Sequence, residues 1–192
     1  VQNRREATGL VARGKTLLAQ GDCEEALRLL ERAHELYSLH PDLPGLLQRA
    51  RRAVCDRWIG QGRQAMAAGD YPTALRLFLK SDGLLAGYGG TTGLIAEARS
   101  ALARHHLETS QRHARDGADG CALLHALVAL GYAPTDYDTR RQLSQCAGQV
   151  QQSVHYTVGF VGFRATPERQ AIAETLSSIS LAHLTQVRPA NM

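Results

Sequence analysis

Aromatic residues make up only 5% of this chain, with one Trp, six Tyr and three Phe among 192 residues, and Val (nine) and Ile (four) are scarce as well. Strands draw on those residue types, so a mostly-β sandwich or barrel is excluded. Ala (28) and Leu (27) dominate instead, which is the vocabulary of helices. No uncharged apolar run approaches the ~20 residues that a bilayer crossing needs. With 44% hydrophobic and 21% charged residues the composition is that of a chain that buries a core rather than one that stays disordered. The length suits one domain, or one and a half.

Lysine is almost missing. Lys15 and Lys80 are the only two, the rest of the 22 basic residues are arginine, and the net charge is +4. The basic residues are scattered among 18 acidic ones, with no basic block and no aromatic platform, so no nucleic-acid partner is expected. The chain starts at Val1 and shows no signal sequence, so a removed leader and an excised fragment are both open.

A repeat is present. Gly21-Asp22-Cys23-Glu24-Glu25-Ala26-Leu27-Arg28-Leu29-Leu30 is matched by Gly69-Asp70-Tyr71-Pro72-Thr73-Ala74-Leu75-Arg76-Leu77-Phe78 and, in degraded form, by Gly117-Ala118-Asp119-Gly120-Cys121-Ala122-Leu123-Leu124, with successive glycines 48 residues apart. Each copy predicts the tip of a helical hairpin: glycine in the left-handed position that ends one helix, then Asp capping the next. Pro72 suits a first helical turn, where its missing N–H costs nothing.

These copies resemble the tetratricopeptide repeat over residues 5–134. In the second copy Trp58, Gly62, Ala74, Phe78 and Ser81 stand at the family's signature positions, and in the first copy Leu10, Gly14, Leu17, Ala26, Leu30 and Ala33 do. The third keeps Ala122, Ala126, Ala129 and Pro134 but has His106, Ser110 and His113 in its first helix. The period departs from the family's 34, and the surplus falls in Leu43 to Arg52 and in a Gly83 to Gly93 loop. Long first helices are therefore expected at about 43–68 and 93–115. That loop has no preceding strand and no Gly-Lys-Ser/Thr ending, so it is read as a flexible connection and not as a phosphate loop.

The four cysteines show no CxxC pair and no zinc-finger spacing, so no metal is expected. Counted by height along neighbouring antiparallel helices, Cys23 meets Cys55 and Cys121 meets Cys146, which predicts two disulfides and an exported protein. The other reading is four buried thiols acting as small hydrophobes.

After Ser153 the pattern changes. Val154 to Phe163 reads as a buried strand, and Thr166-Pro167 opens a helix that runs to about Thr185. This βα unit is similar to the opening of envelope lipoprotein domains related to the curli secretion factor CsgG, and the TolB amino-terminal domain opens comparably. The expected organisation is thus a helical-repeat domain over 1–152 and an incomplete α/β domain over 153–192. The expected fold class is mainly α, three tetratricopeptide-like antiparallel hairpins with a truncated βα unit. A strand without a partner implies self-association through 154–163.

No enzyme chemistry is legible, since Gly-x-Ser-x-Gly is absent and no nucleophile has an assigned base. His106 and His113 share a helix face but are two turns, about 10 Å, apart, too far for one metal. No cofactor is expected. What the resemblance implies is a peptide-holding face on the first helices, at Lys15, Arg63 and Gln111 with Arg104 and Arg115 nearby, a mildly cationic row suited to an acidic protein or peptide partner. An ordinary solvated face is the competing reading. The expected function is a non-enzymatic scaffold of the bacterial cell envelope, lying in the periplasm and joined to a CsgG-like assembly domain. The alternative is a cytosolic regulatory module of a cyclase-type signalling protein with a TolB-like domain, in which the cysteines are free.

Overall fold

The computed structural model describes residues 2–153. The strand expected at 154–163 and the helix after it lie outside these residues. Within them the chain is mainly helical and contains no strand. Seven helices follow in order: α1 (Gln2–Gln20), α2 (Cys23–Leu36), α3 (Leu43–Ala67), α4 (Tyr71–Leu84), α5 (Thr91–Arg115), α6 (Asp119–Tyr132) and α7 (Tyr137–Ser153), with a 3-10 turn at Tyr88–Gly90. α3 and α5, at 25 residues each, are the longest, where the surplus of the 48-residue spacing places long helices.

The helix ends follow from local chemistry. Gly21, Gly69 and Gly117 have φ of 87°, 76° and 72°, a left-handed backbone that costs glycine nothing. Each sits between two helices. Asp70 caps α4 by accepting the Thr73 N–H at 3.2 Å, and Pro72 occupies the first turn behind it. Asp22, expected to cap α2, makes no side-chain cap bond. Asp136 caps α7 instead, taking both the N–H and the hydroxyl of Thr139 at 2.8 and 2.7 Å. The two hydrogen bonds from Thr139 hold the Asp136 carboxyl below its usual range.

The segment expected as a flexible loop is shorter and tied down. α4 carries on through Gly83, and Asp82 Oδ1 then accepts the Gly87 N–H at 2.9 Å and the Thr91 hydroxyl at 2.7 Å. Tyr88 adds a bond from its hydroxyl to Asp56 of α3 at 3.3 Å. Glycine here serves the turn geometry, with Gly87, Gly89 and Gly90 all at positive φ.

The described residues fall into two compact units, the first up to Leu102 and the second from Ala103, with the boundary inside α5. In the first unit Ala7 and Val11 of α1, Leu27, Leu30 and Ala33 of α2, and Leu43, Leu47, Ala50 and Val54 of α3 form a continuous core. Close approach depends on missing side chains. A Cβ added to Gly14 would lie 2.9 Å from Leu30 Cγ, and one added to Gly62 only 2.4 Å from Phe78 Cε1. Trp58 stands half-buried beside this core, its indole N–H donating to Glu24 Oε1 at 2.9 Å and tying α3 to α2.

In the second unit Ala122, Ala126, Ala129 and Cys146 have no exposed surface. Ser110 is also fully buried, and its hydroxyl donates to the Ala122 carbonyl at 2.7 Å. Gln142 Nε2 donates to Ser110 Oγ at 3.3 Å and to Cys146 Sγ at 3.2 Å, so the polar atoms of this core satisfy one another.

The structure contains neither expected disulfide; all four cysteines are free thiols. Cys55 is buried with its thiol toward the Ser81 carbonyl of α4 at 3.6 Å, while the Cys23 thiol turns back onto the Gly21 carbonyl at 3.3 Å. Cys146 lies inside against Ser110 and Gln142, and Cys121 is exposed. Height along the helix does not decide pairing, because each residue turns the side chain by about 100° around the axis. Cys55 faces α4, away from the partner that its height suggested.

Candidate functional site

The five residues expected to receive a partner are all exposed. Lys15 on α1 and Arg63 on α3 belong to the first unit; Arg104, Gln111 and Arg115 on α5 belong to the second. The structure brings two of them together. Gln111 and Arg115, one helical turn apart, line an open groove of about 970 Å³ in the second unit, and the Arg115 Nε–H donates to the Gln111 carbonyl at 3.3 Å. Arg104 does not line it.

The opposite wall comes from α7, which supplies Gln142, Gln145, Gln149 and Gln152. Spacings of three, four and three put all four on one face of a helix. That pattern was readable in the sequence, but only once this stretch was known to be helical and to face α5. Ala114 and Gly148 give the groove small residues, and a Cβ added at Gly148 meets nothing within 4 Å.

The lining is chemically specific. Gln142 is turned into the core, but the exposed carboxamides of Gln111, Gln145, Gln149 and Gln152 offer C=O and N–H groups together, the complement of a peptide backbone. Among the described lining residues Arg115 is the one that is charged, and it is a cation. The groove can therefore hydrogen-bond an extended polar chain and hold a carboxylate by a charge-assisted bond.

A second feature of this unit resolves the two histidines left two turns apart. His125 of α6 inserts between His106 and His113 of α5, with ring centroids 5.3 Å from each, and Tyr132 lies beyond His106 at 6.1 Å. Two rings from each helix thus interleave. Nδ1 of His106 is 3.0 Å from Nδ1 of His125. Burial first, then the charges of neighbouring histidines, push both below the ordinary histidine value.

Among the described residues no group of three or more His, Cys, Asp or Glu is placed to hold a metal, and no helix is long and apolar enough to cross a membrane. Comparisons with protein-family models, curated proteins and solved structures find no match to this chain.

Proposed function

We propose that the chain is a non-enzymatic scaffold of tetratricopeptide-like hairpins that recruits a protein partner by an extended acidic segment. The observation that carries this reading is the groove of the second unit, whose described lining residues are mostly carboxamides on α5 and α7 and, among those residues, include one cation, Arg115, and no acid.

The repeat reading is supported by burial. Ala26, Ala74 and Ala122 are 0% exposed, and so are the residues four further on, Leu30, Phe78 and Ala126. Ala33, Ser81 and Ala129 complete the same pattern, also fully buried. Three positions with identical burial in three copies are what stacked hairpins of one kind require.

The test is fluorescence anisotropy of a short labelled peptide of alternating aspartate and serine, titrated with the whole chain, beside its asparagine analogue. Tighter binding of the acidic peptide is expected, weakening as salt rises and weakened again by Arg115→Glu. Equal affinity for the two peptides would remove the reading's chemical basis.

For location, the proposal of a bacterial envelope scaffold joined to a CsgG-like domain stands beside a second reading, a cytosolic regulatory module of a cyclase-type signalling protein with a TolB-like domain. Thiol state separates the two readings, since only a reducing compartment keeps four cysteines free.

A further inference from the structure

Two imidazoles meeting nitrogen to nitrogen form an arrangement that depends on how many protons they hold. His106 and His125 have Nδ1 atoms 3.0 Å apart and ring centroids 5.3 Å apart, with 28° between the ring planes. The difference between the two distances is what the two ring radii make up. The nitrogens therefore face each other head-on along the line of centroids, as in a linear N–H···N hydrogen bond. A metal ion needs ~2.0–2.1 Å to each nitrogen and does not fit on a line this short. A proton does.

We infer that the His106–His125 pair is a proton-operated latch between α5 and α6, closed with no added proton or with one, and opened by the second. With both rings neutral, one is the Nδ1–H tautomer and donates to the bare Nδ1 of the other. One added proton on an outer nitrogen leaves the N–H···N bond in place and makes it charge-assisted, hence stronger. A second added proton leaves two N–H donors facing each other at 3.0 Å with no acceptor between them and two like charges across the gap.

The surroundings sharpen that last step. His113 stacks on the far side of His125, His105 lies edge-on to His106 at 5.6 Å, and Tyr132 stacks on His106. The charges that act on His106 are those of His125 and His105, and on His125 those of His113 and His105; all disfavour further protonation. Among the described residues, neither a carboxylate of α5 or α6 nor Tyr137, Asp138, Arg140 or Arg141 of α7, the helix packed against α6, is among the groups that shift either ring. Every charge found to act on the two rings is that of another histidine, so it opposes the second proton. Groups that interact this closely lose and gain protons as a pair, in two separated steps.

The latch goes beyond the peptide-binding proposal and does not depend on it. Its test is a pH titration of the whole chain followed by the ring nitrogen signals of histidine in NMR, with amide exchange of α6 measured at each pH. Two separated steps for the His106 and His125 signals are expected, with α6 protection retained through the first and lost at the second. In His125→Gln the α6 protection should persist to about one pH unit lower, because no second imidazolium can form. Independent titration of both rings at the ordinary histidine value, or α6 protection unchanged across the second step, would overturn the inference. If His125→Gln does not fold at neutral pH, the wild-type titration decides alone.

Discussion

Ser110 donates its hydroxyl to the Ala122 carbonyl at 2.7 Å, and Gly14 faces the Ala26 carbonyl in the same way, since a Cβ added to Gly14 would lie 3.5 Å from that oxygen. One contact between a small residue on a first helix and a carbonyl on the next recurs in two chemical forms. Where the second helix carries Leu30 or Phe78 the small residue is glycine; where it carries Ala126 the residue enlarges to Ser110.

Substitution at this contact has a calculable sign. Gly62→Ala gains helix propensity of about 1 kcal/mol but places a methyl 2.4 Å from the Phe78 ring, an overpacking cost of about 1–3 kcal/mol. Net destabilisation is expected in urea unfolding. Combining it with Phe78→Leu should cost less than the sum of the two single changes, because the smaller side chain makes room for the methyl.

Ser110→Ala is expected to lower the stability of the second unit by about 1–2 kcal/mol. The change removes the bond to Ala122 and the acceptor for Gln142 in a fully buried place. Denaturant unfolding followed by amide exchange in α6 and α7 reads the effect. An unchanged midpoint would mean that the hydroxyl is not a structural tie.

Thiol accessibility is expected in a definite order. Cys121, exposed, should react first with an alkylating agent under native conditions, followed by Cys23; Cys55 and Cys146 should react only on unfolding. Intact mass after denaturing alkylation without reductant should show four modified cysteines. Two or four unmodified cysteines would restore the disulfide reading and with it the argument for export.

The Asp82 carboxyl is held below its ordinary value by the Gly87 N–H and the Thr91 hydroxyl. The sign follows: its contribution is present above the unfolded value of 3.8 and is lost as pH falls through the lower folded value. Asp82→Ala should free the chain between Leu85 and Gly90 and speed its cleavage in limited proteolysis at neutral pH. Equal cleavage rates for wild type and variant would show that the tie is idle.

Much of the helical order was readable beforehand. Glycine at 21, 69 and 117 announces a left-handed residue whatever the tertiary structure, and all three have positive φ. Other features depend on partners that local sequence does not name. Asp22 and Asp70 look alike, yet only Asp70 caps, and a glycine-rich stretch reads as loose until Asp82 is seen to gather two of its donors. Two-turn spacing sets His106 and His113 apart on α5, but what fills the gap, His125, comes from the other helix. The cysteine pairs failed because height was counted and direction was not. Gln111 and Arg115, which the resemblance singles out, line the groove, while the glutamines of α7 opposite them carry no charge or spacing that draws notice in the sequence.

Filling the groove tests the peptide-binding proposal most directly. Gly148→Leu places a large side chain into it where an added Cβ meets nothing, and Gly45→Leu makes the same change at an exposed site on α3. The acidic peptide should bind Gly148→Leu at least about tenfold more weakly than wild type, a loss of about 1.4 kcal/mol, and bind Gly45→Leu as it binds wild type. Undiminished binding to Gly148→Leu would contradict the account.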